Sequence, residues 1–268
     1  MLVFMLNLCA FAFAQNYLPY YHLVNEAKWQ AFKENRSVAD SLFSAAFVLV
    51  DFVQPEHALE AARNAMAYGN AKSCYHHSFQ SLLGGMPWQD ISSINGFEET
   101  DWLSKLSLQR DSIEALFLEK ADRNWIELID SMIIMDQFNR SNAPASATRQ
   151  EREERTRRQE INDSIILTII CEQIRKNGRM PGLREVGYVA ARNLDLMFRH
   201  VGADYMFDTL ARVLIQNVLR GDFSPDRAAI VIDRYAIQFS SVLPYHFSPA
   251  IFGSSTMSRG GRTFFSAS

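Results

Sequence analysis

Three residues in the C-terminal half have the types that acid–base chemistry uses: Asp136, His200 and Asp233. An imidazole titrates near neutrality, so His200 would serve as a general base if Asp136 or Asp233 held one ring nitrogen and set the tautomer. Asp233 follows Ile232 in an apolar register, and a carboxylate buried in such a place is normally paired. Four more residues join this candidate catalytic set as candidate ligand-binding residues: Gln137, Arg140, Asn162 and Arg234. Either arginine is suited to hold an anionic ligand, and the two amides to orient one.

A purely structural account of the same residues stays open. A histidine at a helix C-terminus bonds free carbonyls and complements the helix dipole. Asp136 and Arg140 stand one turn apart and can pair on one helix face. With Asp233 and Arg234 they would form an interhelical charge lattice, while Gln137 and Asn162 satisfy backbone groups.

Other chemistry finds little support. No HExxH, paired CxxC, GxSxG elbow, Walker loop or dinucleotide fingerprint occurs. No cofactor is therefore expected, and no metal-ligand set is read. His76 and His77 are adjacent, so their rings diverge on a helix, and Gly202 interrupts the stretch between His200 and Asp204. A net charge of -3 leaves no electrostatic footprint for nucleic acid.

The elements that must position these residues read as helices throughout, since no segment alternates cleanly with period two. Val38, Leu42, Ala45, Ala46, Leu49 and Val53 trace one helical face. Pro55-Glu56-His57 opens a helix that stops at Gly69-Asn70, and the next runs from Ala71 to Leu83 before Gly84-Gly85. Ala39-x-Ser41-x-Phe43-x3-Phe47 aligns with Ala71-x-Ser73-x-Tyr75-x3-Phe79 at an offset of 32 residues. That period suits a degenerate tetratricopeptide-like unit, and an ordinary alanine-rich hairpin equally well.

Ser141 to Thr148 reads as a loop inside the C-terminal region, and the domain boundary is placed near residue 121. Arg149 to Glu160 carries five arginines and four glutamates, the composition of a solvated helix face. Gly178 caps that helix, Pro181 stands at the start of the next, and Gly187 marks a close helix crossing. Ser224-Pro225-Asp226 opens the last helix.

At the N-terminus, apolar residues Leu2 to Phe13 end in Ala12-Phe13-Ala14, the pattern of a secretory signal peptide cleaved after Ala14. No other stretch is apolar for long enough to span a membrane.

The set Asp136-Gln137-x-x-Arg140, Asn162, Gly178-x-x-Pro181, Val186-Gly187, His200, Gly221 and Asp233-Arg234 resembles a bacterial family of exported proteins. In that family, degenerate tetratricopeptide-like helices precede a helical domain of unknown function. The family commonly closes with a glutamine and a Tyr-Gly element; here Gln238 is followed by Tyr245 without its glycine.

The expectation is thus an all-α protein with a signal peptide at 1–14, tetratricopeptide-like hairpins over 15–120, a C-terminal helical domain over 121–245 and a flexible tail over 246–268. It is expected in the periplasm or outside the cell. The leading functional expectation is a protein- or ligand-binding module that meets a protein partner through its N-terminal helices. The alternative is a hydrolase-like enzyme using His200, Asp136 and Asp233.

Overall fold

The structure is a computed structural model that describes residues 17–141, 147–200 and 209–240. The signal peptide assigned to 1–14 and the tail assigned to 246–268 lie outside the described residues, as do Gly202, Asp204 and Tyr245. The described residues are all-helical, with no strand among them.

Helix α1 (Tyr17–Phe32) pairs with α2 (Arg36–Phe47), and α3 (Pro55–Ala67) pairs with α4 (Ala71–Leu83). A short α5 (Trp88–Ser92) leads to α6 (Asp101–Lys120), which packs on α4. The C-terminal half contains α7 (Arg123–Ser141), α8 (Arg149–Asn177), α9 (Leu183–Phe198), α10 (Ala211–Leu219) and α11 (Pro225–Ser240). There α7 lies against both α8 and α9, and α11 against α9 and α10.

Local chemistry explains where these helices start and stop. Pro55 needs no amide partner in the first turn of α3, and Glu56 beside it complements the dipole. The Asn70 side chain accepts from Ser73 N–H at 3.1 Å and so caps α4. Thr148, the last residue of the loop expected at 141–148, instead caps α8. Its hydroxyl accepts from Glu151 N–H at 3.2 Å, and the Glu151 carboxylate accepts from Thr148 N–H at 2.7 Å. At the far end Gly178 adopts φ 70°, and its N–H reaches Ile174 O at 2.7 Å. Both ends of this 29-residue helix are therefore satisfied.

Gly187 does more than permit a crossing. It takes φ 72° and ψ 178° inside α9, so the helix breaks there. A Cβ at this position would lie 2.4 Å from the Phe117 ring, and the next N–H, of Tyr188, donates to Gly84 O at 2.9 Å. Only glycine meets both demands.

The buried side chains form two clusters that do not follow chain order. One joins α3 to α6 through Leu59, Ala62, Cys74, Leu82, Ile91, Phe97, Leu106 and Ile113. The larger one unites Tyr20, Val24, Phe43 and Phe47 of the first hairpin with Ile129 and Met132 of α7, Ile166 and Ile170 of α8, Leu194 and Phe198 of α9, and Leu214 of α10. The first hairpin thus shares its core with the C-terminal half. Each large apolar side chain buried there stabilises the fold by about 1.5–3 kcal/mol.

The two segments aligned at an offset of 32 residues present different faces. Ala39, Phe43 and Phe47 are buried, whereas Ala71, Tyr75 and Phe79 are only half-buried. On α4 the buried stripe is Cys74, His77, Ser78, Ser81 and Leu82. Cys74 and Cys171 are both free thiols.

Polar contacts pin the first hairpin to the C-terminal half. Tyr21 donates to Val218 O at 2.9 Å, and Gln54 Nε2 donates to Gly221 O at 3.1 Å. The Tyr20 hydroxyl accepts from Gln54 N–H at 3.2 Å and meets His57 Nδ1 at 2.8 Å. Its own proton is then free for His57, so Nδ1 of His57 is the acceptor nitrogen. Arg184 bridges Asp51, at 2.8 Å, and Asp222, at 3.2 Å, while stacking over Phe52.

Candidate functional site

Asp136 lies on the same stripe of α7 as Ile129 and Met132, at helical spacing, and this register carries its carboxylate into the core. Its residue exposure is only 2 %. A bare carboxylate in that position would be costly, and its neighbours remove the cost. His200 Nδ1 stands 2.8 Å from Oδ1, Gln137 Nε2 donates to Oδ2 at 2.6 Å, and Arg140 Nε lies 3.5 Å from Oδ1. Burial pushes the carboxyl pKa up, but the His200 hydrogen bond and charge, the Gln137 amide and the Arg140 charge outweigh it, and the net shift is downward. Asp136 is therefore a carboxylate acceptor, and His200 donates to it from Nδ1.

Helix α8 supplies the opposite wall. Its inward stripe of Ile166, Ile170 and Ile174 continues toward the N-terminus as Asn162, one turn before Ile166. Asn162 Nδ2 donates to Met135 O at 2.9 Å, which ties α8 to α7 immediately before Asp136. Next to it, Asp163 accepts from Arg140 Nη2 at 2.5 Å. Arg140 thus spans two carboxylates from two helices. His200 arrives from the turn after α9, its N–H donating to Met197 O at 2.9 Å.

The cluster combines a buried wall with a partly open side. The Asp136 side chain is 1 % exposed, that of His200 16 %, and those of Arg140 and Asp163 25 % each. One ligand atom each from Asp136, Asp163 and His200 lies within 4.8 Å of the other two. Two surface depressions on described residues lie elsewhere, one along the outer face of α8 near Ile161 and Ile165, the other of about 280 Å³ beside Leu82, Trp88 and Phe117.

Of the residues singled out in the sequence, the structure brings together Asp136, Gln137, Arg140, Asn162 and His200. Asp233, on α11, is half-buried, its side chain makes no hydrogen bond or ion pair to a described residue, and Arg234 beside it is exposed. Of the three residues of acid–base type, the structure thus brings together His200 and Asp136, and the second carboxylate near them is Asp163. Asp163 carried no sequence signal except its position directly after Asn162.

No protein-family model, no curated protein and no solved structure matches the chain.

Proposed function

We propose that the protein is a helical ligand-binding protein whose binding site is the cluster of Asp136, Asp163, His200 and Arg140. The observation that carries this reading is the 2.8 Å contact between His200 Nδ1 and the buried Asp136 carboxylate. That contact orients the imidazole and assigns Nδ1 as donor, which leaves Nε2 as the acceptor nitrogen. A lattice built only for stability has no need of a titratable ring at its partly open edge. Sites that break the local rule of apolar burial are where function concentrates.

The same contact supports a second reading, a hydrolase-like enzyme. There Nε2 of His200 takes a proton from water or substrate, Asp136 stabilises the imidazolium, and Arg140 holds an anionic group. Asp233 has no part in this version. The export reading continues to rest on Leu2 to Phe13. No described helix is long and apolar enough to cross a membrane.

Nitrogen-15 NMR of the imidazole rings tests the site directly. The expected spectrum shows His200 as the Nδ1–H tautomer, with Nε2 responding to solvent. An Nε2–H tautomer, or a ring sealed from exchange until global unfolding, would instead make the cluster a structural lattice.

A further inference from the structure

The cluster contains more ligand atoms than a His–Asp pair requires, and they converge from three separate segments of the chain. Asp136 comes from α7, Asp163 from α8 and His200 from the turn after α9, with one ligand atom of each inside a mutual 4.8 Å. On a single dication with bonds of about 2.0–2.2 Å, neighbouring ligand atoms stand ~3.0–3.5 Å apart. The Asp136 Oδ1 to His200 Nδ1 separation of 2.8 Å is already near that spacing, so closing the set requires mainly a movement of Asp163. Asp163 is half-buried at the middle of the 29-residue α8, and the bond its carboxylate would release is the one to Arg140 Nη2.

Arg140 now holds the centre of charge. Its Nη2 donates to Asp163, yet its Nε, shielded from solvent and 3.5 Å from Asp136 Oδ1, has no hydrogen-bond partner among the described residues. The guanidinium therefore fits the pair of carboxylates incompletely. Two carboxylates against one guanidinium leave the acids in excess. Exchanging the guanidinium for a dication matches the charge of the two carboxylates, with both ligated.

Resting on the reading of this cluster as a ligand site, we propose that its ligand is a divalent first-row transition-metal ion held by Asp136, Asp163 and His200. His200 coordinates through Nδ1, its proton moving to Nε2, while Arg140 swings off the carboxylates toward solvent. The imidazole selects the class: hard cations such as Mg²⁺ prefer all-oxygen sets, whereas zinc and its neighbours accept mixed nitrogen and oxygen ligands. Three protein ligands leave coordination positions for water, the arrangement of a working site and not of a closed structural one.

Calorimetric titration of the full chain with Zn²⁺, repeated with Mg²⁺, gives the test, and Co²⁺ absorption spectra report the ligand set independently. One saturable Zn²⁺ equivalent is expected, with no Mg²⁺ binding at the same concentration. His200→Gln and Asp163→Asn should each weaken Zn²⁺ binding at least tenfold and alter the Co²⁺ spectrum. Arg140→Gln, which removes the competing cation, should bind as tightly as the native chain or several-fold more tightly. His76→Gln, at an exposed position away from the cluster, should leave Zn²⁺ binding unchanged. Helical circular dichroism of each variant is matched first; if His200→Gln does not fold, Asp163→Asn at its half-buried position decides alone. Absence of saturable binding, binding indifferent to His200→Gln and Asp163→Asn, or binding lost in Arg140→Gln would overturn the proposal. The imidazole NMR experiment is read without metal, so a correct tautomer with no Zn²⁺ binding leaves a ligand site of another class, and a sealed ring removes the site altogether.

Discussion

His57 and His200 both sit among charged and hydroxyl neighbours, and their surroundings differ in kind. His57 is 4 % exposed, faces the Tyr20 hydroxyl at 2.8 Å, and packs at ring-to-ring distances of 5.5 Å and 6.3 Å from Tyr20 and Tyr21. Burial, reinforced by the charge of Lys28, holds its pKa well below the usual histidine value, so it is a neutral part of the core. His200 faces an ionised carboxylate at the same 2.8 Å but retains contact with solvent, and a second carboxylate and an arginine stand close by. The first arrangement welds helices together. The second keeps a ring nitrogen, a charge imbalance and an arginine nitrogen without a hydrogen bond, which are the properties a ligand can use.

The largest expected effect lies at the seam that His57 helps to close. Gly221 has φ 77°, and a Cβ there would lie 2.2 Å from the Tyr17 ring. Gly221→Ala should cost about 2–4 kcal/mol, from left-handed backbone strain and overpacking together, measured by denaturant unfolding. His57→Ala comes next, at about 2–3 kcal/mol, since it opens a cavity and strips the Tyr20 hydroxyl of its acceptor.

His57 also predicts a pH dependence. Its folded pKa is depressed below the ordinary value of 6.5. Protonation is therefore easier in the unfolded chain, so this contribution to stability is full above pH 6.5 and is lost as pH falls below it. The slope approaches about 1.4 kcal/mol per pH unit until the folded pKa is reached. In His57→Ala that part of the acid slope should vanish; an unchanged slope would show that His57 is not held neutral.

A smaller loss is expected for Tyr21→Phe. It removes the bond to Val218 O across the seam and leaves Gln54 Nε2 one acceptor fewer, a cost of about 1–2 kcal/mol by the same unfolding measurement. The smallest effect belongs to His200→Ala. Asp136 keeps Gln137 and Arg140 and regains water, so stability should fall by less than about 1 kcal/mol.

Much of the fold was legible in the sequence, for local reasons. Pro55 with Glu56, Asn70 before α4, Gly178 after α8 and Ser224-Pro225 before α11 are signals that act within one turn. The charged run likewise behaves as a solvated face, with Glu154 meeting both Arg157 and Arg158. Long-range placement was not legible. Nothing in α1 or α2 announces that their aromatic residues share a core with α7 to α10, because apolar periodicity identifies a buried face and not its partner. Thr148 read as the end of a loop because its capping partner, Glu151, lay inside what looked like a plain charge run. At the site, Asp136 and Arg140 showed their pairing through spacing on one helix, whereas Asp163 meets Arg140 only through the α7–α8 packing. For the same reason a cluster drawn from three segments leaves no sequence motif, while Asp233, in an equally suggestive register, makes no hydrogen bond or ion pair with Asp136 or His200.

The contrast between the two histidines is tested most directly by equilibrium unfolding of His57→Ala and His200→Ala side by side, in one buffer near neutral pH and without added metal. His57→Ala should lose about 2–3 kcal/mol and His200→Ala less than about 1 kcal/mol. Equal losses, or a loss of about 3 kcal/mol or more for His200→Ala, would contradict the assignment of the Asp136 cluster to ligand binding and return it to the structural lattice.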